Sequence, residues 1–137
     1  MLPVAIVLVE DDPGHARLIE KNIRRAGVSN EITHFASGTA ALDHLMAHDG
    51  APTLVLLDLN LPDMSGTRIL EQLKSNAGTK HIPVIVLTTT DDKVEIQKCY
   101  DLGCNVYITK PVDYEKFANA IQQFGLFMYV MQIPEPI

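Results

Sequence analysis

Basic side chains are scarce in this chain: Lys and Arg total 11 against 17 Asp and Glu, for a formal net charge of −6. A broad nucleic-acid surface needs a basic stripe, so no direct nucleic-acid contact is expected, while a protein partner stays open. Cysteine is nearly absent. Cys99 and Cys104 are too few for a disulfide scaffold and are expected to be small, semi-buried thiols in a reducing compartment. No apolar run approaches the roughly 20 residues of a membrane span. Residues 4–9 are apolar but too short for a secretion signal, and no basic residue precedes them. The expected location is the cytoplasm, away from any membrane. Internal repeats, low-complexity linkers and a GxGxxG pattern are missing too; Gly14 and Gly27 belong to no such pattern. His15, His34, His44, His48 and His81 show no metal-ligand spacing, and His44 and His48, one turn apart, fit a solvated helix face.

What is present is an alternation. With 137 residues and 47% hydrophobic residues, the chain can bury one domain's core without staples. Five short apolar runs occur at residues 4–9, 32–35, 54–57, 84–87 and 106–108. Most are continuous rather than alternating in polarity, as in strands buried on both faces. Helical spacing lies between them. Ala16, Ile19, Ile23 and Ala26 form the first set, stopped by Gly27; Ser37 opens the second, with Leu42, Leu45 and Met46. The third covers residues 67–75, with Ile69, Leu70 and Leu73. The fourth follows Asp91 and Asp92, carries Ile96, Cys99 and Tyr100, and ends at Gly103. The fifth follows Pro111 and Val112, carries Phe117, Ala120, Ile121 and Phe124, and is expected to end at Gly125.

Five βα units with right-handed crossovers predict an α/β fold, a flavodoxin-like three-layer sandwich on a parallel five-stranded sheet of order 2-1-3-4-5. Residues 1–125 complete that domain. Residues 126–137 remain as an apolar C-terminal extension that packs back on its own domain or meets another chain.

Ligands of such sheets bind outside the carboxyl ends of the strands. Strand 1 ends in Val9-Glu10-Asp11-Asp12, strand 3 in Asp58 followed by Leu59-Asn60-Leu61-Pro62, strand 4 in Thr88, and strand 5 in Thr109-Lys110-Pro111. Crowded carboxylates repel unless something neutralises them. Mg²⁺ does so with oxygen ligands while leaving room for phosphate oxygens. Lys110 adds a point positive charge and Thr88 a hydroxyl donor. These parts suit phosphoryl transfer, in which a carboxylate can itself be the nucleophile. Asp58, at the end of the middle strand, is the best-placed candidate. Asp12 is expected to enter the first helix rather than bind metal.

Val9-Glu10-Asp11, Asp58-Leu59-Asn60-Leu61-Pro62-Asp63-Met64-Ser65-Gly66, residues 84–88 and Lys110-Pro111, in that order at successive strand ends, resemble the receiver domain of two-component response regulators over residues 4–124. The resemblance implies that Asp58 is the phosphoacceptor and that a cognate histidine kinase is the donor. It implies Asp11 as a direct Mg²⁺ ligand, Glu10 acting through water, and the Asn60 carbonyl completing a set that includes Asp58, with Mn²⁺ or Ca²⁺ able to substitute. Lys110 and Thr88 would contact the phosphoryl oxygens. Tyr107 stands at the switch-aromatic position, turning inward when Thr88 moves toward the phosphate. Lys110-Pro111 is similar to the family's cis peptide. Thr89 replaces a smaller residue of many receivers and narrows access to Asp58. The segment Lys110-Pro111-Val112-Asp113-Tyr114-Glu115-Lys116-Phe117 and the tail resemble single-domain regulators paired with phytochrome-like histidine kinases. In that group the extension reaches a second protomer, which makes Leu126, Phe127, Met128, Tyr129, Val130, Met131 and Ile133 a dimerisation arm.

Three other functions are weighed against this one. A phosphatase of the haloacid-dehalogenase type needs a second Asp where this chain has Asn60. An FMN carrier needs a hydroxyl-rich loop where Glu10-Asp11-Asp12 stands. A degenerate receiver, acting as a phosphorylation-independent binding module, has no need of the intact site residues.

Overall fold

The apolar runs form strands in which every position of the central three except Ala5 is buried. In the computed structural model these are β1 (Ala5–Val9), β3 (Thr53–Leu57) and β4 (Val84–Thr88), flanked by β2 (Ile32–Phe35) and β5 (Val106–Thr109). Five helices alternate with them: α1 (Pro13–Arg25), α2 (Gly38–Met46), α3 (Gly66–Ser75), α4 (Lys93–Leu102) and α5 (Tyr114–Met131). All pairings are parallel and the order is β2-β1-β3-β4-β5, the flavodoxin-like arrangement expected. The structure describes residues 4–47, 50–110 and 113–131, with residues 123–131 as helix backbone only. His48, the Lys110–Pro111 bond, the side chains of Phe124 and of residues 126–131, and Ile133 therefore lie outside the described residues.

Period-two alternation along the strands sorts the core into two layers. Ile6, Leu8, Leu54, Leu56, Ile85 and Leu87 face α1 and α5, meeting Ile19, Ile23, Phe117 and Ile121. Val7, Val9, Val55, Leu57, Val84 and Val86 face the other way, onto Leu45 of α2 and Ile69, Leu70 and Leu73 of α3. Cys99 and Cys104 join this second layer. They are free thiols, and fully buried rather than semi-buried, because α4 turns Cys99 inward. Burial pushes the Cys104 thiol up to about 12, so it stays protonated.

Helix starts follow local chemistry. Asp12, Ser37, Ser65 and Asp92 are the N-caps, each accepting from a backbone N–H in the first turn. Asp12 thus enters α1 as expected. Gly103 ends α4 at φ 106°, in the left-handed region. The end of α5 differs from expectation. Gly125 does not stop it, and the helix continues to Met131. A glycine ends a helix only where the chain turns left-handed. Inside a helix it costs roughly 1 kcal/mol, and the Leu, Phe and Met residues after Gly125 are compatible with continuing the helix, with no proline before Pro134. Among the described residues no helix is long and apolar enough to cross a membrane.

Candidate functional site

β1 and β3 lie side by side, and β1 is also where the strand order turns back toward β2. Their carboxyl ends open the crevice in which ligands of such sheets bind. Asp58 donates its backbone N–H to the Val9 carbonyl at 3.0 Å, which carries the β1–β3 pairing one residue past the strands. Glu10 is held in the same way by its N–H on the Phe35 carbonyl at 3.0 Å. The site is therefore built on backbone that the sheet already fixes.

Its side chains are charged yet buried: Glu10 is 1% exposed and Asp58 6%. Lys110, arriving from the end of β5, sits between them. Its ammonium donates to Glu10 Oε1 and, at 3.2 Å, to Asp58 Oδ2. One cation cannot balance the cluster. Glu10, Asp11 and Asp58 present oxygens that all lie within 4.8 Å of one another, with Asp11 at the solvent edge. Burial pushes the Glu10 carboxyl up; Lys110 opposes this, and the neighbouring Asp58 adds to it. An all-oxygen, anionic, partly open donor set fits a hard divalent cation such as Mg²⁺, and it does not fit a soft metal. Asp12 is not part of the set, because its carboxylate accepts from the Gly14 and His15 N–H groups at 2.8 and 3.1 Å.

Thr88 is fully buried at the end of β4. Its hydroxyl oxygen accepts from Asn60 Nδ2 at 3.1 Å, which leaves its own hydrogen available to donate. The same amide reaches Thr89 Oγ1 at 3.3 Å, and the Asn60 N–H donates to Asp58 Oδ1 at 3.0 Å. Asn60 thus ties the β3–α3 loop both to the Asp58 carboxylate and to the end of β4. Tyr107 is half-buried on β5, and its hydroxyl donates to the Thr90 carbonyl at 2.6 Å. Burial raises the phenol to about 12. The Tyr107 N–H donates to Tyr100 Oη at 3.2 Å, so Tyr100 serves as an exposed acceptor rather than as core.

The structure brings Glu10, Asp11, Asp58, Asn60, Thr88 and Lys110 to one edge of the sheet, with Tyr107 linked to it through the Thr90 carbonyl. Two residues near the site were not legible in the sequence. His15 accepts from Lys110 Nζ at 3.2 Å through Nδ1, and this nitrogen lies 3.8 Å from Glu10 Oε1. The available signal was its place in the first turn of the helix that follows the acidic pair. Asp63 stands within the Asp58–Gly66 motif, but its contact has no local signal, because its partners, Gly38 and Thr39, belong to another helix. The arm residues 126–131 are seen only as helix backbone.

Known proteins share this chain's sequence pattern and fold. The family model of the response regulator receiver domain matches residues 6–122. The chain is 37% identical to a probable methanogenesis regulatory protein, FilR2, of Methanothrix harundinacea, over 88% of this chain and 81% of that one. It is 34% identical to the response regulator Rcp1 of Synechocystis, over 90% of each; a solved structure of Rcp1 is its Mn²⁺-bound form, with a TM-score of 0.76. A response regulator receiver domain from Rhodospirillum rubrum is 64% identical, covering 96% of this chain and 97% of that one, with a TM-score of 0.80. The phosphorylated cyanobacterial phytochrome response regulator RcpA is 33% identical over 94% and 96% of the two chains, with a TM-score of 0.77.

Proposed function

The chain belongs to the response regulator receiver family, and from that premise we propose that Asp58 takes a phosphoryl group from the phosphohistidine of a cognate histidine kinase. A receiver accepts a phosphoryl group and is not a conventional enzyme. The observation that carries the reading is the placement of Asp58. It is a buried carboxylate at the end of the central strand, beside the Glu10–Asp11 carboxylate pair and the Lys110 ammonium, with the Thr88 hydroxyl joined to it through Asn60. In the step, an Asp58 oxygen attacks phosphorus as the phosphorus–nitrogen bond breaks. The imidazole leaves with the electron pair and takes up a proton.

The chain's own groups divide the work. Glu10, Asp11, Asp58 and the Asn60 carbonyl would hold Mg²⁺, which when bound neutralises charge on the acceptor and the incoming group. Lys110 already lies between Glu10 and Asp58, so it can follow the charge onto a phosphoryl oxygen. Thr88, accepting from Asn60, turns its hydrogen toward the new oxyanion. The modification adds up to about two negative charges. Drawing Thr88 inward disturbs the β4–α4 loop on which Tyr107 rests, and the face of α4, β5 and α5 reports the change. The likeness to RcpA supports a phytochrome-type kinase as donor, and therefore light as the stimulus. The apolar residues 126–133 support a homodimer joined through the C-terminal segment.

The test is a native mass spectrum of the protein with Mg²⁺ and acetyl phosphate, beside Asp58→Asn. One added phosphoryl group per wild-type chain and none in the variant is the expected result. Addition that persists in Asp58→Asn would assign the acceptor elsewhere. No addition to the wild type would favour the phosphorylation-independent binding module.

A further inference from the structure

The β3–α3 loop is fastened at both ends, and the two fastenings differ in kind. Near the site, an isolated antiparallel bridge pairs Asn60 with Ser65, and the Gly66 N–H donates to the Leu59 carbonyl at 3.0 Å. Asn60 in turn contacts Asp58 and Thr88. At the far tip, Asp63 reaches across to α2. Its Oδ1 accepts from the Gly38 N–H at 2.9 Å; its Oδ2 accepts from the Thr39 N–H at 2.8 Å and the Thr39 hydroxyl at 2.5 Å. Ser37 satisfies the Ala40 N–H at 3.2 Å. The leading donors of α2 are thus shared between its own N-cap and a carboxylate 25 residues away in sequence.

Packing holds the same tip. A Cβ on Gly38 would stand 2.6 Å from Met64 Cγ, so only glycine lets Met64 lie against the start of α2. Charge adds to the hold, because the N-terminal end of a helix carries partial positive charge.

We propose that Asp63 is a positioning residue for the metal and phosphoryl site: by clipping the loop tip to α2, it fixes where Asn60 stands relative to Asp58 and Thr88. This rests on the receiver reading for the role of the site, though not for the clip itself. The distance between clip and site is one short, bridged loop, so displacement of the tip is passed to Asn60 rather than absorbed. Asp63 is not among the clustered donors Glu10, Asp11 and Asp58. It acts through the loop, as outer partners of metal ligands commonly do.

The experiment measures Mg²⁺ affinity by calorimetry, with no phosphoryl donor present, for the wild type, Asp63→Ala and Ile23→Val. Ile23 is buried in the core layer under α1, on the opposite face of the sheet, so its variant loses stability without touching the loop. Asp63→Ala is expected to bind Mg²⁺ about tenfold more weakly, and Ile23→Val as the wild type does. Wild-type affinity in Asp63→Ala, alongside a lowered Tm, would reduce Asp63 to a helix cap and overturn the proposal. So would a wild type that binds no Mg²⁺. Failure of Asp58 phosphorylation with acetyl phosphate would instead overturn the phosphoacceptor reading of Asp58, and would leave a weakened Mg²⁺ affinity in Asp63→Ala as evidence for the clip.

Discussion

Asp63 shows how an exposed carboxylate can be strongly perturbed by its hydrogen bonds. The Thr39 hydroxyl, then the Thr39 and Gly38 N–H groups, hold its carboxyl down at about 2, against an ordinary 3.8. A carboxyl whose folded pKa is depressed contributes stability above its unfolded pKa. That contribution is lost as pH falls through the folded value, so the window runs from 3.8 down to about 2. Thermal melts between pH 5 and pH 2 (roughly bracketing that window) should show the wild type losing more Tm than Asp63→Asn, which cannot titrate. Parallel curves for the two proteins would mean that the hydrogen bonds form no better with the ionised carboxylate than with an amide. Glu10 is the opposite case. Burial raises it, so the site holds tension between desolvation and the charge that its chemistry needs.

Among the elements, α3 is the one whose entry is most tightly constrained. A Cβ on Gly66 would lie 2.5 Å from the Asp58 carbonyl oxygen and 2.6 Å from Leu59 Cα, both backbone atoms that cannot swing aside. The helix must start this close because Ile69, Leu70 and Leu73 are wholly buried against β3 and β4. Gly66→Ala should therefore cost about 1–3 kcal/mol in chemical denaturation and also slow acetyl-phosphate incorporation, since the displaced backbone belongs to the acceptor residue. A stable variant with wild-type incorporation would show that α3 can back away from β3 without disturbing Asp58.

At the scale of the whole molecule, the open question is what α5 does beyond the domain. Among the described residues the core ends at Ile121, and the helix backbone continues to Met131 through an apolar stretch. A chain truncated after residue 125 should keep the fold and lose self-association, as read by light scattering on a sizing column with and without phosphorylation. A truncated chain that still pairs would move the contact to α4, β5 and the first turns of α5. A full chain that is monomeric in both states would remove the dimerisation arm.

The local features were legible because they are written in short stretches. Continuous apolar runs gave the strands, Ser37 gave the start of α2, and acids placed directly after β1 and β3 gave Glu10, Asp11 and Asp58. Parallel βα repetition then limits the topology to few choices, so strand ends could be gathered at one edge in advance. The pairing of Lys110 with both Glu10 and Asp58, the approach of His15, and the clip from Asp63 to α2 join residues far apart in the chain. So does the demand for glycine at Gly66, which comes from backbone that α3 meets only once packed. The passage of α5 through Gly125 was missed for a local reason: a glycine's own preference is weak, and the helix-compatible residues after it carry the helix on. The sequence by itself determined which chemistry stands at each strand end, since that depends on neighbours in the chain. Tertiary structure decided which of those groups touch, and how firmly the loop between them is held, since that depends on neighbours in space.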